Sequence, residues 1–133
     1  MRTILLVDDE VAMRRKYRTF LREQGFTVIV APNALSVANI LMCESSRLDL
    51  IILDINIPEV DGRDIYDIIK EYAPNIPILV SSVIPLQDQK LKIPRAAGYF
   101  NKADSDEAFL AKVCKVLGVE KEMKDQQKSA KSG

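Results

Sequence analysis

Histidine and tryptophan are absent from this chain of 133 residues. Without an imidazole there is no Ser-His-Asp or Cys-His catalysis, no histidine ligand for zinc and no phosphohistidine carrier. Cysteine is scarce: Cys43 and Cys114 are too few for a disulfide scaffold. Each lies in an apolar, helix-like stretch, where a buried thiol is expected. Net charge is missing as well, with 19 Lys and Arg against 19 Asp and Glu. A neutral chain lacks the basic footprint of a nucleic-acid binder, and 47% apolar residues are too many for intrinsic disorder. No apolar run approaches the ~20 residues of a membrane span. Met1-Arg2-Thr3 leads into four apolar residues and then acids, not into a signal peptide. The expectation is one soluble, cytoplasmic domain, with no nucleic acid and no membrane among its partners.

What is present is an alternation of short apolar runs with helical patterns, the mark of a parallel-stranded α/β domain. Strands are predicted at Ile4–Val7, Phe26–Val30, Leu50–Leu53, Ile78–Val80 and Tyr99–Phe100. Leu50–Leu53 is apolar without alternation, as suits a strand covered on both faces. Helical faces are predicted from Met13, Tyr17, Phe20 and Leu21, from Ala34, Val37, Ala38 and Leu41, from Ile65, Ile68, Ile69 and Tyr72, and from Phe109, Val113, Val116 and Leu117. Gly25 and Gly118 close the first and last of these, and Ser105 or Asp104 caps the last. Pro85 and Pro94 bracket the region of the fourth helix, which is expected to be short or irregular. Residues 1–118 are expected to form the domain, and 119–133 a helix extension or a disordered tail.

The polar residues are informative by their placement. The first strand ends in Asp8-Asp9, the third in Asp54, the fourth in Ser81 and the fifth in Asn101-Lys102. Ligands of open parallel sheets bind at the carboxyl ends of the strands, so neighbouring strands would bring three carboxylates, a hydroxyl and an ammonium together. Clustered carboxylates repel, and a hard divalent cation such as Mg²⁺ relieves that. Such a set suits phosphoryl transfer, in which catalysis is mostly positioning and charge neutralisation, and a carboxylate can be the nucleophile. Taken singly, Asp9 and Ser81 read as helix caps, Lys102 as a surface lysine and Asp61-Gly62 as a turn.

The conjunction resembles the receiver domain of two-component response regulators, the fold shared with the chemotaxis response regulator. The resemblance runs from about Thr3 to Gly118. It rests on Leu6-Val7-Asp8-Asp9-Glu10, on Leu53-Asp54-Ile55-Asn56-Ile57-Pro58-Glu59-Val60-Asp61-Gly62, on Ser81-Ser82 and on Lys102. It implies a doubly wound, flavodoxin-like (βα)5 domain with strand order 2-1-3-4-5. It implies that Asp54 accepts a phosphoryl group from a sensor histidine kinase or phosphotransfer protein. Mg²⁺ would be held by Asp9, Asp54 and the backbone carbonyl of Asn56, with Asp8 acting through water. Lys102 would pair with the phosphate, Ser81 would hydrogen-bond it, and Tyr99 would swing inward as the switch aromatic. The outcome would be a changed face for a downstream protein target, with no separate substrate transformed, and residues 85–118 would be a candidate homodimer face.

The chain also departs from that family. Ala103 stands where proline usually follows the lysine, which is expected to loosen the loop holding Lys102. Prolines flank the fourth helix of the usual output face. Val83, two residues past Ser81, cannot position an attacking water, so a long-lived phosphoryl group is expected. Two other readings compete. A phosphate-independent scaffold would have no need of the clustered carboxylates. A Mg²⁺-dependent phosphatase with an aspartyl nucleophile would need an acid/base carboxylate where Asn56 stands.

Overall fold

The computed structural model describes residues 2–57 and 60–119. Five strands and five α-helices alternate: β1 Thr3–Val7, α1 Val11–Glu23, β2 Thr27–Ala31, α2 Ala34–Glu44, β3 Leu50–Leu53, α3 Gly62–Tyr72, β4 Ile78–Ser82, α4 Leu86–Lys92, β5 Gly98–Asn101 and α5 Asp106–Leu117. A single 3₁₀ turn, Ser45–Arg47, follows α2. The strands form one sheet in the order β2-β1-β3-β4-β5, every pairing parallel. This is the doubly wound, flavodoxin-like arrangement expected from the sequence.

The two-residue period of a strand divides the core. Leu5, Val7, Ile51, Leu53, Ile78 and Val80 face α2 and α3, where Val37, Leu41, Ile65 and Ile69 meet them. Ile4, Leu6, Leu50, Ile52 and Leu79 face α1 and α5, where Tyr17, Leu21, Phe109 and Val113 meet them. β1, β3 and β4 are buried along their whole length, which is why they read as unbroken apolar runs. Each large aliphatic side chain buried in this way contributes about 1.5–3 kcal/mol. Tyr17 stacks on Phe109 at 4.2 Å between ring centroids, and Phe100 meets Phe109 edge-on at 5.3 Å, which ties α1 and β5 to α5.

Several expectations need correction. β2 begins at Thr27, because the Phe26 N–H donates to Leu21 O at 3.1 Å and so belongs to the turn that ends α1. The fourth helix is short but regular: Pro85 sits at its N-cap, where no backbone donor is needed, and Pro94 lies beyond its end. Cys43 is exposed and Cys114 half-buried; on α2 the fully buried residues are Val37 and Leu41, and Cys43 lies off that face. Tyr72 is 49% exposed, on the side of α3 where Ile68, one turn earlier, is already only half-buried.

Gly118, at φ 70°, ends α5. Ser105, not Asp104, caps that helix, its Oγ accepting from the Ala108 N–H at 3.1 Å. Of the expected tail, residues 120–133 lie outside the described residues.

Candidate functional site

Sheet register builds the site. Leu53 pairs with Val7 on one side and Val80 on the other, so the next residues, Asp8, Asp54 and Ser81, come side by side at the carboxyl end of the sheet, Ser81 still within β4. The Asp54 N–H continues the ladder by donating to Val7 O at 2.9 Å. Across β4, Ser82 pairs with Asn101, and the Lys102 N–H donates to Ser82 O at 2.9 Å. Strand order therefore converts four separated sequence positions into one cluster.

Lys102 Nζ donates to Asp8 Oδ2 at 2.7 Å and to Asp54 Oδ2 at 2.9 Å, and none of the three side chains is more than 6% exposed. The second oxygen of each carboxylate serves its own loop: Asp54 Oδ1 accepts from the Asn56 N–H and Asp8 Oδ1 from the Glu10 N–H, both at 2.9 Å. Burial pushes the Asp54 carboxyl above its ordinary range, and the Asn56 N–H and the Lys102 cation only partly oppose it. Burial alone would lower Lys102, but its bond to Asp8 and the charge of Asp54 outweigh that and hold it above its usual value.

Asp9 completes the acidic group. Carboxylate oxygens of Asp8, Asp9 and Asp54 all lie within 4.8 Å of one another. Three hard anionic donors against one ammonium fit a hard divalent cation such as Mg²⁺, which takes carboxylate oxygens and keeps water. The capping role that Asp9 alone would suggest is not seen: Glu10 stands at the N-cap of α1 and makes no side-chain cap bond. Ser81 caps nothing either; its Oγ is buried and has no hydrogen-bond partner among the described residues. Asn56 is exposed beside Asp54. Tyr99 is half-buried, and its hydroxyl accepts from the Ala96 N–H at 3.2 Å and donates to Ile93 O.

Some supporting residues escaped the sequence reading. Gly62, read as half of a turn signal, starts α3 hard against Ile55: a Cβ there would lie 2.6 Å from Ile55 Cβ and 2.7 Å from its Cα and O. Asp61 caps that helix through the Arg63 N–H at 2.9 Å. Ala103 does not leave its loop untied, because its N–H donates to Asn101 Oδ1 at 2.8 Å, a bond that a proline could not make. Gln89, an unremarked polar residue of α4, is fully buried.

A family model described as the response regulator receiver domain matches residues 4–113. Among curated proteins, a probable transcriptional regulatory protein of Picosynechococcus is 38% identical over 84 residues, covering 59% of this chain and 34% of its own length. The Escherichia coli transcriptional regulatory protein CusR is 33% identical over 89 residues, covering 67% and 38%. This chain thus spans about a third of the length of these relatives. Among solved structures, the Thermotoga maritima response regulator TrrA, in complex with Mg²⁺ and BeF, superposes with a TM-score of 0.77 at 27% identity, covering 87% of this chain and 99% of that one. A CheY-like receiver domain protein of Methanospirillum hungatei superposes at 0.80 and 20% identity, covering 89% and 94%.

Proposed function

Since the chain belongs to the response regulator receiver domain family, we propose that it is a phospho-accepting signalling switch and that Asp54 is the acceptor. A carboxylate oxygen of Asp54 attacks the phosphorus of a phosphohistidine on a sensor histidine kinase or phosphotransfer protein. The P–N bond breaks as the new P–O bond forms, and the imidazole leaves. The observation that carries this reading is Lys102 Nζ bridging Asp8 and Asp54 at 2.7 and 2.9 Å, with a carboxylate oxygen of Asp9 within 4.8 Å of theirs.

Each residue then has a physical task. Asp9, Asp54 and the backbone carbonyl of Asn56 would hold Mg²⁺, with Asp8 acting through water. The cation would supply neutralisation of the charge that builds on the transferring phosphoryl oxygens. Lys102, which pairs with Asp54 here, would serve as a point charge for the phosphate. Ser81 Oγ, buried without a partner among the described residues, gains an acceptor once Asp54 carries the group. Phosphorylation takes the Asp54 side chain from one negative charge to roughly two and adds acceptor oxygens. The β4–α4 loop moves toward them, and Tyr99 turns inward. The altered face is read by a downstream protein target, and residues 85–118 are a candidate surface for self-association. The domain assists its own phosphorylation and dephosphorylation without transforming a separate substrate.

The test is intact mass after incubation with Mg²⁺ and acetyl phosphate, with Asp54→Ala alongside. Gain of one phosphoryl group that requires both Mg²⁺ and Asp54 is expected. A gain that survives in Asp54→Ala would move the acceptor elsewhere, and absence of both phosphorylation and Mg²⁺ binding would favour the scaffold reading.

A further inference from the structure

α4 is attached to the sheet differently from its neighbours. The other four helices bury apolar side chains: Tyr17 and Leu21, Val37 and Leu41, Ile65 and Ile69, Phe109 and Val113. The residue that α4 buries is Gln89, while its leucines, Leu86 and Leu91, are 38% and 78% exposed. Within its seven residues α4 is thus held by a directional polar group where apolar packing would ordinarily serve, its apolar anchor, Ile93, lying at the C-cap.

The bonds of Gln89 end at the candidate site. Its Nε2 lies 3.3 Å from Ser82 O, 2.9 Å from Ile84 O and 3.0 Å from Phe100 O. Two N–H groups are therefore shared among three carbonyls, two beyond Ser81 on the β4 side and one at the end of β5. Ser82 O also receives the Lys102 N–H at 2.9 Å. One carbonyl thus joins α4, the strand end bearing Ser81 and the loop bearing Lys102. Gln89 Oε1 is buried without a partner among the described residues, so the amide is committed as a donor while its acceptor goes unused, an arrangement that a rearranged α4 could relieve.

We propose that Gln89 is a positioning residue, a latch that holds α4 and the β4–α4 loop in the arrangement seen here and loosens when Ser81 moves to a phosphoryl group on Asp54. The proposal rests on the reading of Asp54 as phosphoacceptor. The physical reason is shared geometry. A shift of the Ser81 backbone toward Asp54 carries Ser82 with it, and displacing Ser82 lengthens one of the three bonds that fix the buried amide. A latch of this kind favours the resting arrangement, and its removal shifts the equilibrium toward the other.

The probe is beryllofluoride, a phosphoryl mimic, with Mg²⁺. In Gln89→Met, which keeps the volume and helix propensity but has no donor, α4 amides should exchange with solvent roughly tenfold faster. Amides of β3 should be unchanged, and beryllofluoride should bind roughly threefold to tenfold tighter. A purely structural role predicts weaker binding instead; weaker or unchanged binding, or unchanged α4 exchange, overturns the proposal. Wild-type protein gives a second arm that needs no variant. The Gln89 side-chain amide protons should be protected from exchange in the free protein and lose that protection on binding beryllofluoride. Protection that persists in the complex overturns the proposal. If the wild type does not bind beryllofluoride at all, it is the phosphoacceptor reading that fails, whereas α4 exchange in Gln89→Met still tests the latch.

Discussion

Lys102 Nζ stands 2.9 Å from Asp54 Oδ2, with the lysine side chain 4% exposed and the aspartate 6%. The pair is buried, and Asp8 makes it a triad of one cation and two anions. The cation is therefore the group the cluster can least spare. Replacing it by Lys102→Met leaves two buried carboxylates facing each other, and removal of one partner from a buried ion pair costs about 3–5 kcal/mol. A loss of that size in metal-free buffer is expected at neutral pH, measured by denaturant unfolding. Mg²⁺ should raise the midpoint of the variant more than that of the wild type, because it replaces the missing charge. Equal effects of Mg²⁺ on both proteins would count against a shared cation site.

Asp54 gives a pH dependence of defined sign. Its carboxyl is held above the ordinary value of 3.8, chiefly by burial. It binds its proton more tightly folded than unfolded, so the stability it contributes is fully present below 3.8 and is lost as pH rises through the folded value. In EDTA, Asp54→Asn should be more stable than the wild type at neutral pH, and the gap should close as pH falls toward 3.8. Unfolding midpoints along that range test it; a gap that widens on acidification would reverse the assignment.

Val83 is 64% exposed and offers no hydrogen bond to a water attacking the phosphoryl group. With Asp54 phosphorylated, autodephosphorylation in Mg²⁺ should be slow, on the scale of minutes or longer. Val83→Glu should shorten that lifetime roughly tenfold by supplying a group that can orient or deprotonate water. It should leave the fold intact, since an exposed site tolerates the change. A wild-type lifetime of seconds would contradict the prediction.

Gly62→Ala should destabilise the domain by about 1–3 kcal/mol, the usual cost of forcing a methyl into a filled space. The atoms in the way include the Cα and O of Ile55, each 2.7 Å from the new Cβ, and a backbone cannot step aside as a side-chain tip can. Because Ile55 follows Asp54 directly, phosphorylation by acetyl phosphate should slow as well. Thermal unfolding and intact mass measured on the same variant would check both effects.

The sequence by itself determined the strands, the helices and the chemistry at the strand ends. Runs such as Leu50–Leu53 suit a strand of a sheet covered on both faces, which is where the chain puts it. The polar residues that interrupt those runs had to fall at the sheet edge, so Asp8, Asp54, Ser81 and Lys102 were legible as a group from their positions. Tertiary structure decided how they meet. That Lys102 reaches across 94 residues to Asp8 follows from β3 and β4 lying between β1 and β5. Local patterns do not encode that order, because each strand carries the same apolar signal. Side-chain burial outside the strands was likewise a tertiary matter. Cys43 and Gln89 sit on helices whose local patterns do not say which way they roll. The exposed thiol and the buried amide were each fixed by where the sheet and the neighbouring loops left room, and the amide also by the backbone carbonyls to which Gln89 donates.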